Sequence, residues 1–478
     1  MIFLKFPLVI ALCSFSFFSL AKGPSPYLPL QVDPLIELEL HRLATLSKLP
    51  ILTKPYHAVI INRYLNKIVD SHPILYKRIS SYLKRYKQDA ALTHASAQLN
   101  YADNEKVTLP NQRGQMADAN YHVSFSGFWQ ANQYVIINGG GRYYENGDYL
   151  STNSFISVGV DYFQVDIGYR EHWLSPFQDS AVLLSTQAKP TLNVTISNPV
   201  LLTDFNIKYE MSIGLLDEHT GIRFDREKPA VTGEPALLTM HMSAQPYEWW
   251  TIGFNRTLMF GGDDKVTVSD IWNAIIDPVN SDNCGGAGTD LQDCSKEFGN
   301  QQASITNKFD LNWFDTPFSL YYEYAGEDTN NYKNYQLANL ANSIGVFIPY
   351  INETMSLNFE FTDFQFGWYT HHIYGEGYSN GGVKMGHWWG SLKVPEDRVG
   401  GEAGSIRFDW QNTNDSQLSI LYRAANFNNS SFADYQVSHE IEFKYSKVVE
   451  SGFLGLKLYL GKNNYGDNFL QTSVSYTW

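Results

Sequence analysis

The residues best suited to chemistry in this sequence lie in one stretch, between residues 370 and 400. Within it, Gly377-Tyr378-Ser379-Asn380-Gly381 matches Gly-x-Ser-x-Gly, the pattern in which a serine hydrolase presents its nucleophile. That chemistry needs a strand before the serine and a helix after it. The flanking residues here are typical of a loop, so the sequence predicts a loop and no nucleophile elbow.

His371 and His372 stand side by side in the same stretch and could suggest a metal site. Adjacent side chains of a strand point to opposite faces, so a pair in a loop is the better interpretation. The sequence also has no His-Glu-x-x-His motif, phosphate-binding loop or dinucleotide-binding fingerprint. We therefore expect no catalytic residues, no bound metal and no cofactor, and a hydrolase is the least favoured function.

The same stretch is rich in aromatic side chains and also carries an arginine. Aromatic faces can stack on the apolar faces of sugar rings, and arginine donates paired hydrogen bonds to a carboxylate such as that of a uronic acid. The hypothesis is a saccharide-binding loop that contains Tyr374, Tyr378, His387, Trp388, Trp389 and Arg398. The alternative is that these aromatic residues form a girdle or pack within the loop.

Residues 1–21 have the pattern of a cleaved signal peptide: a positive charge, a short apolar run, and the small residues Ser19 and Ala21 before the cleavage point. The mature chain then retains two cysteines, Cys284 and Cys294. Exported chains meet an oxidising compartment, which favours a disulfide between these cysteines. A metal site is the weaker alternative, because two thiols without a nearby histidine make only half a zinc site.

The composition disfavours nucleic acids as partners and fits a membrane interface. The chain has 478 residues and a net charge of −14, whereas binding to phosphate backbones needs lysine and arginine. Aromatic residues make up 15% of the chain, and such residues line the interfaces of outer-membrane barrels. Beyond the signal peptide, no apolar stretch is long enough for a spanning helix. A closed barrel is the other structure that satisfies its backbone within a membrane.

The mature chain begins with helical patterns. Asp33-Pro34 predicts a helix start, because aspartate caps helices and proline fits their first turn. Residues 56–69 and 74–91 predict two further helical segments by their apolar spacing. The last of these is basic, which fits a solvated face or a contact with a membrane surface or partner. We predict a helical periplasmic segment and linker over residues 22–117.

From about residue 121 the period of the apolar residues changes to two, which predicts strands. The alternation is clear in residues 163–169, 309–313, 318–324, 357–361, 406–410, 441–445 and 454–460. A soluble sandwich also alternates, but this pattern continues to a final aromatic residue, Trp478, and short turns separate long loops. We therefore predict an all-β transmembrane barrel of about 16–18 antiparallel strands over residues 118–478, with a small α-helical bundle before it.

Charged residues at the inward positions of these strands have both signs. They are Asp166, Arg170, Asp310, Glu323, Glu360, Arg407, Asp409, Arg423, Glu442, Lys444 and Lys457. Opposite charges can pair when they are partly desolvated, which would brace or plug the interior. An open, ion-selective pore more often shows one dominant sign at its constriction. The alternative is that these residues only hydrate the barrel wall.

Several motifs resemble those of the Wzi-type capsule assembly family. The clearest is Gly168-Tyr169-Arg170-Glu171-His172-Trp173-Leu174-Ser175-Pro176, which is followed by Leu183-Leu184-Ser185-Thr186-Gln187-Ala188-Lys189-Pro190. This chain departs from the family pattern at Leu174, where a second aromatic residue is usual, and at Gln187, where asparagine is usual. Shorter matches follow in the family's order at residues 221–223, 253–257, 260–262, 299–301, 324–328 and 386–390.

The resemblance covers nearly the whole mature chain, and it implies both a fold and a function. The fold is an outer-membrane barrel with a periplasmic helical bundle, in a Gram-negative bacterium. The function is lectin-like: such a protein holds capsular or extracellular polysaccharide at the cell surface, and it is neither the export channel nor an enzyme. Its partners would be the polysaccharide and outer-membrane lipid, with the export machinery as a further candidate. A passive porin is the main alternative.

Overall fold

The computed structural model describes residues 23–31, 34–103, 107–224, 228–263, 266–276, 298–329, 336–413 and 415–478. The predicted signal peptide and the predicted Cys284–Cys294 disulfide lie outside these residues and remain predictions. The α-helices are α1 Pro34–Leu46, α2 Ala58–Leu65, α3 Pro73–Leu83 and α4 Val268–Ile276, and 3₁₀ helices cover Asn66–Ile68, Lys84–Lys87 and Trp388–Leu392.

The strands are β1 Tyr27–Leu28, β2 Tyr56–His57, β3 Ala90–Ala102, β4 Tyr121–Asn132, β5 Val135–Tyr144, β6 Tyr149–Ser151, β7 Ser154–Val160, β8 Phe163–Tyr169, β9 Leu192–Ser197, β10 Lys208–Leu215, β11 His219–Ile222, β12 Val231–Gly233, β13 Pro235–Tyr247, β14 Trp250–Gly261, β15 Gly299–Trp313, β16 Thr316–Thr329, β17 Leu337–Ile348, β18 Met355–Phe364, β19 Ser379–Asn380, β20 Val383–Lys384, β21 Gly401–Thr413, β22 Ser416–Phe427, β23 Ser438–Val449, β24 Gly452–Lys462 and β25 Asn468–Thr477.

Strands β3–β10, β13–β18 and β21–β25 form one closed antiparallel barrel, in which β25 pairs with β3. Because β6 and β7 both pair with β5, they fill one position between them. The described residues therefore make an 18-stranded barrel, which confirms the predicted fold and strand number. The pairs β1–β2, β11–β12 and β19–β20 are separate two-stranded ribbons.

The alternation of the sequence places polar side chains inside the barrel and apolar ones outside. In β8, Asp166 is fully buried whereas the next residue, Ile167, is 53% exposed. Glu360 and Phe359 of β18 show the same inversion. An apolar exterior around a polar interior is the arrangement of a membrane-spanning barrel. None of the described helices is long and apolar enough to cross a membrane.

The two ends of the barrel differ, as the sequence predicted. At one end the connections are tight: Phe314 and Asp315 join β15 to β16 with φ values of +48° and +61°, which are typical of a primed hairpin turn. At the other end lie long connections, among them residues 170–191 and 365–400. We call these the short-turn end and the long-loop end.

Helices α1–α3 pack on one another around a shared apolar core that includes Leu43, Ile61 and Ile79. The Arg42 guanidinium of α1 donates a hydrogen bond of 3.1 Å to the carbonyl of Pro349, in the turn between β17 and β18. The helical segment therefore lies at the short-turn end. Its placement in the periplasm remains a prediction.

The helical segment ends earlier than predicted. Ala90–Ala102, which we had assigned to the segment and linker over residues 22–117, is strand β3 and pairs with both β4 and β25. Its alanines favour a helix intrinsically, but pairing with two neighbouring strands outweighs that preference. Leu99 and Tyr101 are exposed on the barrel exterior, whereas Gln98, which precedes Leu99, lines the interior. The barrel begins at Ala90 and not at residue 118.

Candidate functional site

The connection between β8 and β9, residues 170–191, carries the clearest family motif, and we call it the motif loop. The chain turns into the barrel just after Gly168, a position that only glycine accepts easily. Its φ is +141°, and a Cβ atom there would lie 2.3 Å from the carbonyl oxygen of Ser154. Further along, the backbone of Trp173 exchanges two hydrogen bonds of 3.0 Å with Lys54 of the helical segment. The motif loop therefore crosses the lumen to reach the helices.

Charged side chains fix the motif loop to the barrel wall. Asp179 accepts hydrogen bonds of 2.8 and 2.7 Å from Arg423 of β22. Glu360 of β18 accepts bonds of 2.6 and 3.0 Å from two backbone N–H groups of the loop. Arg170 donates a bond of 2.5 Å to Glu210 of β10. These inward charges brace the interior, which was one of the two alternatives that the sequence left open.

The family-motif residues contribute to this brace. His172 Nδ1 lies 2.8 Å from a carboxylate oxygen of Glu210, and the Ser175 hydroxyl donates a 3.2 Å bond to Glu323 of β16. Six of the seven residues are buried and Tyr169 is half-buried; the set is Gly168, Tyr169, Arg170, His172, Trp173, Ser175 and Pro176. Their contacts are with the barrel wall and the helical segment, so they position the loop.

The connection between β18 and β21, residues 365–400, packs against the motif loop, and we call it the outer loop. The Tyr369 hydroxyl donates a 2.6 Å hydrogen bond to the carbonyl of Val182, and the N–H of Ser185 donates a 2.9 Å bond to the carbonyl of Met385. Both loops contribute to one buried apolar cluster. The two loops thus fill the lumen towards the long-loop end.

Five of the six residues of the predicted saccharide-binding loop come together, but they are buried. At most 1% of Tyr374, Tyr378, His387, Trp388 or Trp389 is exposed. Trp389 stacks between Phe364 and Phe427, with ring centroids 4.4 and 5.2 Å apart. In this structure these rings pack within the loop and present no face to a ligand at the surface.

Arg398 is the exposed member of the predicted set. Its guanidinium carbon lies 4.8 Å from the ring centroid of Phe366, which is itself 57% exposed. The carbonyl of Arg398 accepts a 2.8 Å hydrogen bond from the N–H of Gly367, which fixes the backbones together. An aromatic face and a fork of donors thus lie side by side on the outer loop. The sequence does not single out Phe366, because the spacing of this residue does not distinguish it from the aromatic residues that are buried.

His387 caps the 3₁₀ helix of the outer loop. Its Nδ1 accepts a 3.1 Å hydrogen bond from the N–H of Trp389. Burial lowers the pKa of His387 to about 3, whereas an unfolded histidine has a pKa of about 6.5. Between pH 3 and pH 6.5 this histidine is protonated in the unfolded chain but neutral in the folded chain. The stability of the folded state therefore falls as the pH decreases from 6.5 towards 3.

We expect this histidine to reduce the free energy of unfolding by roughly 2 kcal/mol between pH 7 and pH 5. Urea unfolding in detergent at the two pH values measures the change. A His387→Asn variant keeps a side-chain acceptor but does not titrate, so it should lose most of this pH dependence. A variant with the same pH dependence as the parent would show that His387 is not its source.

The Gly-x-Ser-x-Gly match is a hairpin and not a nucleophile elbow. Ser379 of β19 pairs with Lys384 of β20, and the turn between them contains Gly381 and Gly382, with φ of +59° and +77°. Ser379 is fully buried, and a strand follows it where an elbow needs a helix. Across the described part of the chain, no group of three or more histidine, cysteine, aspartate or glutamate residues is placed to hold a metal.

Comparison with known proteins identifies the family. The family model described as capsule assembly protein Wzi matches residues 80–467. This chain belongs to the Wzi capsule assembly family. As a member of this family, and with the apolar exterior described above, it is an outer-membrane barrel.

The fold is shared with a solved structure of the same family. Wzi of Escherichia coli is 16% identical, with a TM-score of 0.68 over 93% of this chain and 98% of that chain. It is described as an outer-membrane, carbohydrate-binding β-barrel involved in group 1 capsule assembly. OpdQ of Pseudomonas aeruginosa is 8% identical, with a TM-score of 0.49 over 80% of this chain and 96% of that chain. No curated protein matches the sequence significantly.

Proposed function

We propose that this chain is a non-enzymatic barrel that binds capsular or extracellular polysaccharide and anchors it at the cell surface. Membership of the Wzi family over residues 80–467 carries the proposal. The carbohydrate binding described for the Escherichia coli protein supports it. In outer-membrane barrels the long loops face the outside and the short turns face the periplasm. The outer loop would then meet the polymer, and the helical segment would lie in the periplasm.

Cosedimentation with the host's own surface polysaccharide tests this function. We expect the purified barrel to bind the polymer saturably, and to leave a neutral dextran of similar length in solution. A glycan array would then identify the sugar. A barrel that folds but binds neither the host polymer nor any glycan of the array would contradict the proposal.

The filled lumen favours this function over a passive porin. Two packed loops occupy the lumen, and the buried Asp179–Arg423 pair ties one of them to the wall. A passive diffusion pore needs a continuous water-filled path. We therefore expect the purified protein to carry no steady current in planar bilayers. Steady, stepwise conductance by the intact chain would favour the porin instead.

Arg398 is the group that we propose to contact the polymer, with Phe366 as its stacking partner. An Arg398→Ala variant should bind the host polysaccharide about tenfold more weakly, a loss of about 1.4 kcal/mol. Because the residue is exposed, the free energy of unfolding should change by less than about 0.5 kcal/mol. The cosedimentation isotherm and a urea unfolding curve measure the two quantities.

Lys462 provides the matched control for this variant. It is an exposed cation at the end of β24 that also lies towards the long loops. A Lys462→Ala variant removes the same charge and should leave the affinity for the polymer unchanged. Equal losses in the two variants would indicate general electrostatic attraction and would count against a site at Arg398.

The same proposal includes the absence of catalysis, and it names outer-membrane lipid and the export machinery as two further partners. The buried hairpin position of Ser379 supports a binding function without hydrolysis. The exposed apolar side chains of the strands supply the contact with outer-membrane lipid. The helical segment at the short-turn end is the surface through which export machinery would dock.

A further inference from the structure

A polar cavity of about 240 Å³ lies inside the barrel, between the helical segment and strands β3–β5 and β21–β25. Helix α1 lines one side with Ile36 and Leu40. Leu109 and Tyr459 belong to a small buried cluster that covers the side towards the long loops. A single water needs only about 10–15 Å³ of such space, and pockets for drug-sized ligands measure roughly 300–1,000 Å³. The cavity therefore fits one small polar molecule.

The cavity is more basic than the chain around it. Its charged lining residues are Lys54, Arg142, Arg407, Arg423, Lys444 and Lys457 on the basic side, and Glu37, Asp179 and Glu442 on the acidic side. Six cations less three anions leave an excess of three positive charges, in a chain whose net charge is −14. A concave, partly desolvated surface of one sign concentrates ions of the other sign.

Four of the six cations form no direct ion pair with a described residue. Lys54 and Arg142 donate hydrogen bonds to neutral groups instead. Glu442 attracts Lys457, and Asp179 attracts Arg407, without contacting them. Arg423 and Lys444 each form an ion pair with a carboxylate. Arg407 and Lys457 form no hydrogen bond or ion pair with any described residue. Lys457 also lies directly opposite Lys444 across the β23–β24 pair, an arrangement of like charges that is destabilising. A bound anion would relieve this repulsion.

Buried polar atoms of the cavity wall also lack partners. Gln115 and His122 are both more than nine-tenths buried, and their Nε2 and Nδ1 atoms have no hydrogen bond. The other amide atom of Gln115 accepts a 2.8 Å bond from Arg142, so the side chain is held in place. Buried polar atoms are normally bonded to protein, water or ligand. Both atoms therefore belong to a polar wall whose hydrogen bonding is incomplete.

Hydroxyl groups line the wall beside the cations. Those that face the cavity belong to Ser96, Ser124, Ser473, Ser475 and Thr477. Ser96 and Ser124 are held together by a hydrogen bond of 2.7 Å between their hydroxyls. A hydroxyl both donates and accepts, and so matches the hydroxyls of a sugar ring, which do the same. Cations together with hydroxyls suit an acidic sugar better than a bare inorganic anion.

We infer that this inner cavity binds one acidic sugar unit of the hexuronate class. The side chain of Lys444 is 38% exposed, so it presents surface to the cavity, while the Leu109–Tyr459 cluster covers the side towards the long loops. Lys457 and Arg407 hold the carboxylate, and the serine hydroxyls hold the ring. The inference rests on the proposed polysaccharide-binding function and adds to it an inner site for an acidic sugar unit.

Isothermal titration calorimetry of the full purified barrel in detergent tests the site, with sodium glucuronate, glucose and inorganic phosphate as probes. We expect glucuronate to bind at least tenfold more tightly than glucose or phosphate, and more weakly as the salt concentration rises. A Lys457→Gln variant should bind glucuronate at least tenfold more weakly. The matched control is Lys447→Gln on β23, an exposed lysine outside the cavity, which should bind as the parent does.

A second variant keeps the test valid if Lys457→Gln does not assemble. Ser475→Leu fills part of the cavity without changing its charge, and it should also abolish glucuronate binding. Equal affinity for glucuronate and glucose, tighter binding of phosphate, or no effect of either variant would overturn the inference. Polymer binding without glucuronate binding would overturn the inner site alone. Glucuronate binding without polymer binding would overturn the proposed surface function alone.

Discussion

An Asp179→Ala variant is expected to lose about 3–5 kcal/mol of its free energy of unfolding. Asp179 and Arg423 have side chains only 3% and 7% exposed, and they share two hydrogen bonds. Removing the carboxylate leaves the guanidinium charged and unpaired inside the barrel, because arginine does not give up its proton in proteins. Urea unfolding in detergent micelles, followed by the gel shift between folded and unfolded barrel, measures the loss.

The same pair determines the pH range over which the motif loop is held. Burial alone would raise the pKa of Asp179, but the adjacent Arg423 guanidinium holds it well below its usual value of about 3.8. Because the folded-state pKa is depressed, the stabilisation is complete above that usual value and is lost only as the pH falls below it. We therefore expect the contribution of the pair to be constant between pH 5 and pH 8.

Two further variants separate a buried brace from an ordinary ion pair. Lys48 and Glu248 form an exposed pair at 3.6 Å, so Glu248→Ala should change the stability by less than about 1 kcal/mol. Asp179→Leu combined with Arg423→Met should recover most of the loss, since apolar residues can replace a buried pair at little cost. If Asp179→Ala costs no more than Glu248→Ala, the pair does not brace the motif loop.

Replacing Trp388 and Trp389 together with alanine is expected to release the outer loop from the lumen. Each buried tryptophan removed costs about 3–5 kcal/mol, and the two losses need not add because the residues are in contact. Trp389 is stacked between Phe364 and Phe427, and Trp388 lies under the guanidinium of Arg423, 5.9 Å from its ring centroid. We expect weaker retention of surface polysaccharide by cells, and current through the barrel in planar bilayers.

Trp313→Ala is the control for this double variant. Trp313 is 66% exposed at the short-turn end, so its loss should leave the outer loop packed and the lumen closed. Limited proteolysis of the outer loop gives an independent measurement, and only the double variant should be cut faster than the parent. Unchanged retention, conductance and proteolysis in the double variant would mean that these tryptophans do not hold the loop in place.

The barrel could be predicted because each strand carries its own signal in the alternation of neighbouring residues. An alternation of two residues assigns each side chain to lipid or lumen wherever the strand lies in the sheet. The buried face of β8 follows directly from this alternation. The tight turn at Phe314 is indicated separately, by the residues Asp315, Thr316 and Pro317 that follow it. Strand β3 was missed because its alanine-rich start resembles a helix. Its identity as a strand depends on β25, which lies at the opposite end of the sequence.

The candidate site could be predicted only in part. The aromatic residues of the outer loop were found by composition, but composition does not distinguish a ring that packs inwards from one that faces a ligand. In the structure Trp388 and Trp389 are buried, whereas Arg398 and Phe366 lie at the surface. The inner cavity was missed entirely, because it is formed by side chains from eight barrel strands and the helical segment.

The sequence by itself determined which residues face lipid and which face the lumen, an approximate range of 16–18 strands, and the mixed charge of the interior. The tertiary structure alone decided which charges pair, which remain unpaired, and where the loops go. The reason is distance along the chain: Asp179 and Arg423 are 244 residues apart, and no local pattern relates them. Once the barrel closes, the packed loops exclude water from its interior, and the low effective dielectric there favours the pairing of such charges. The same exclusion of water favours the burial of aromatic rings in the loops.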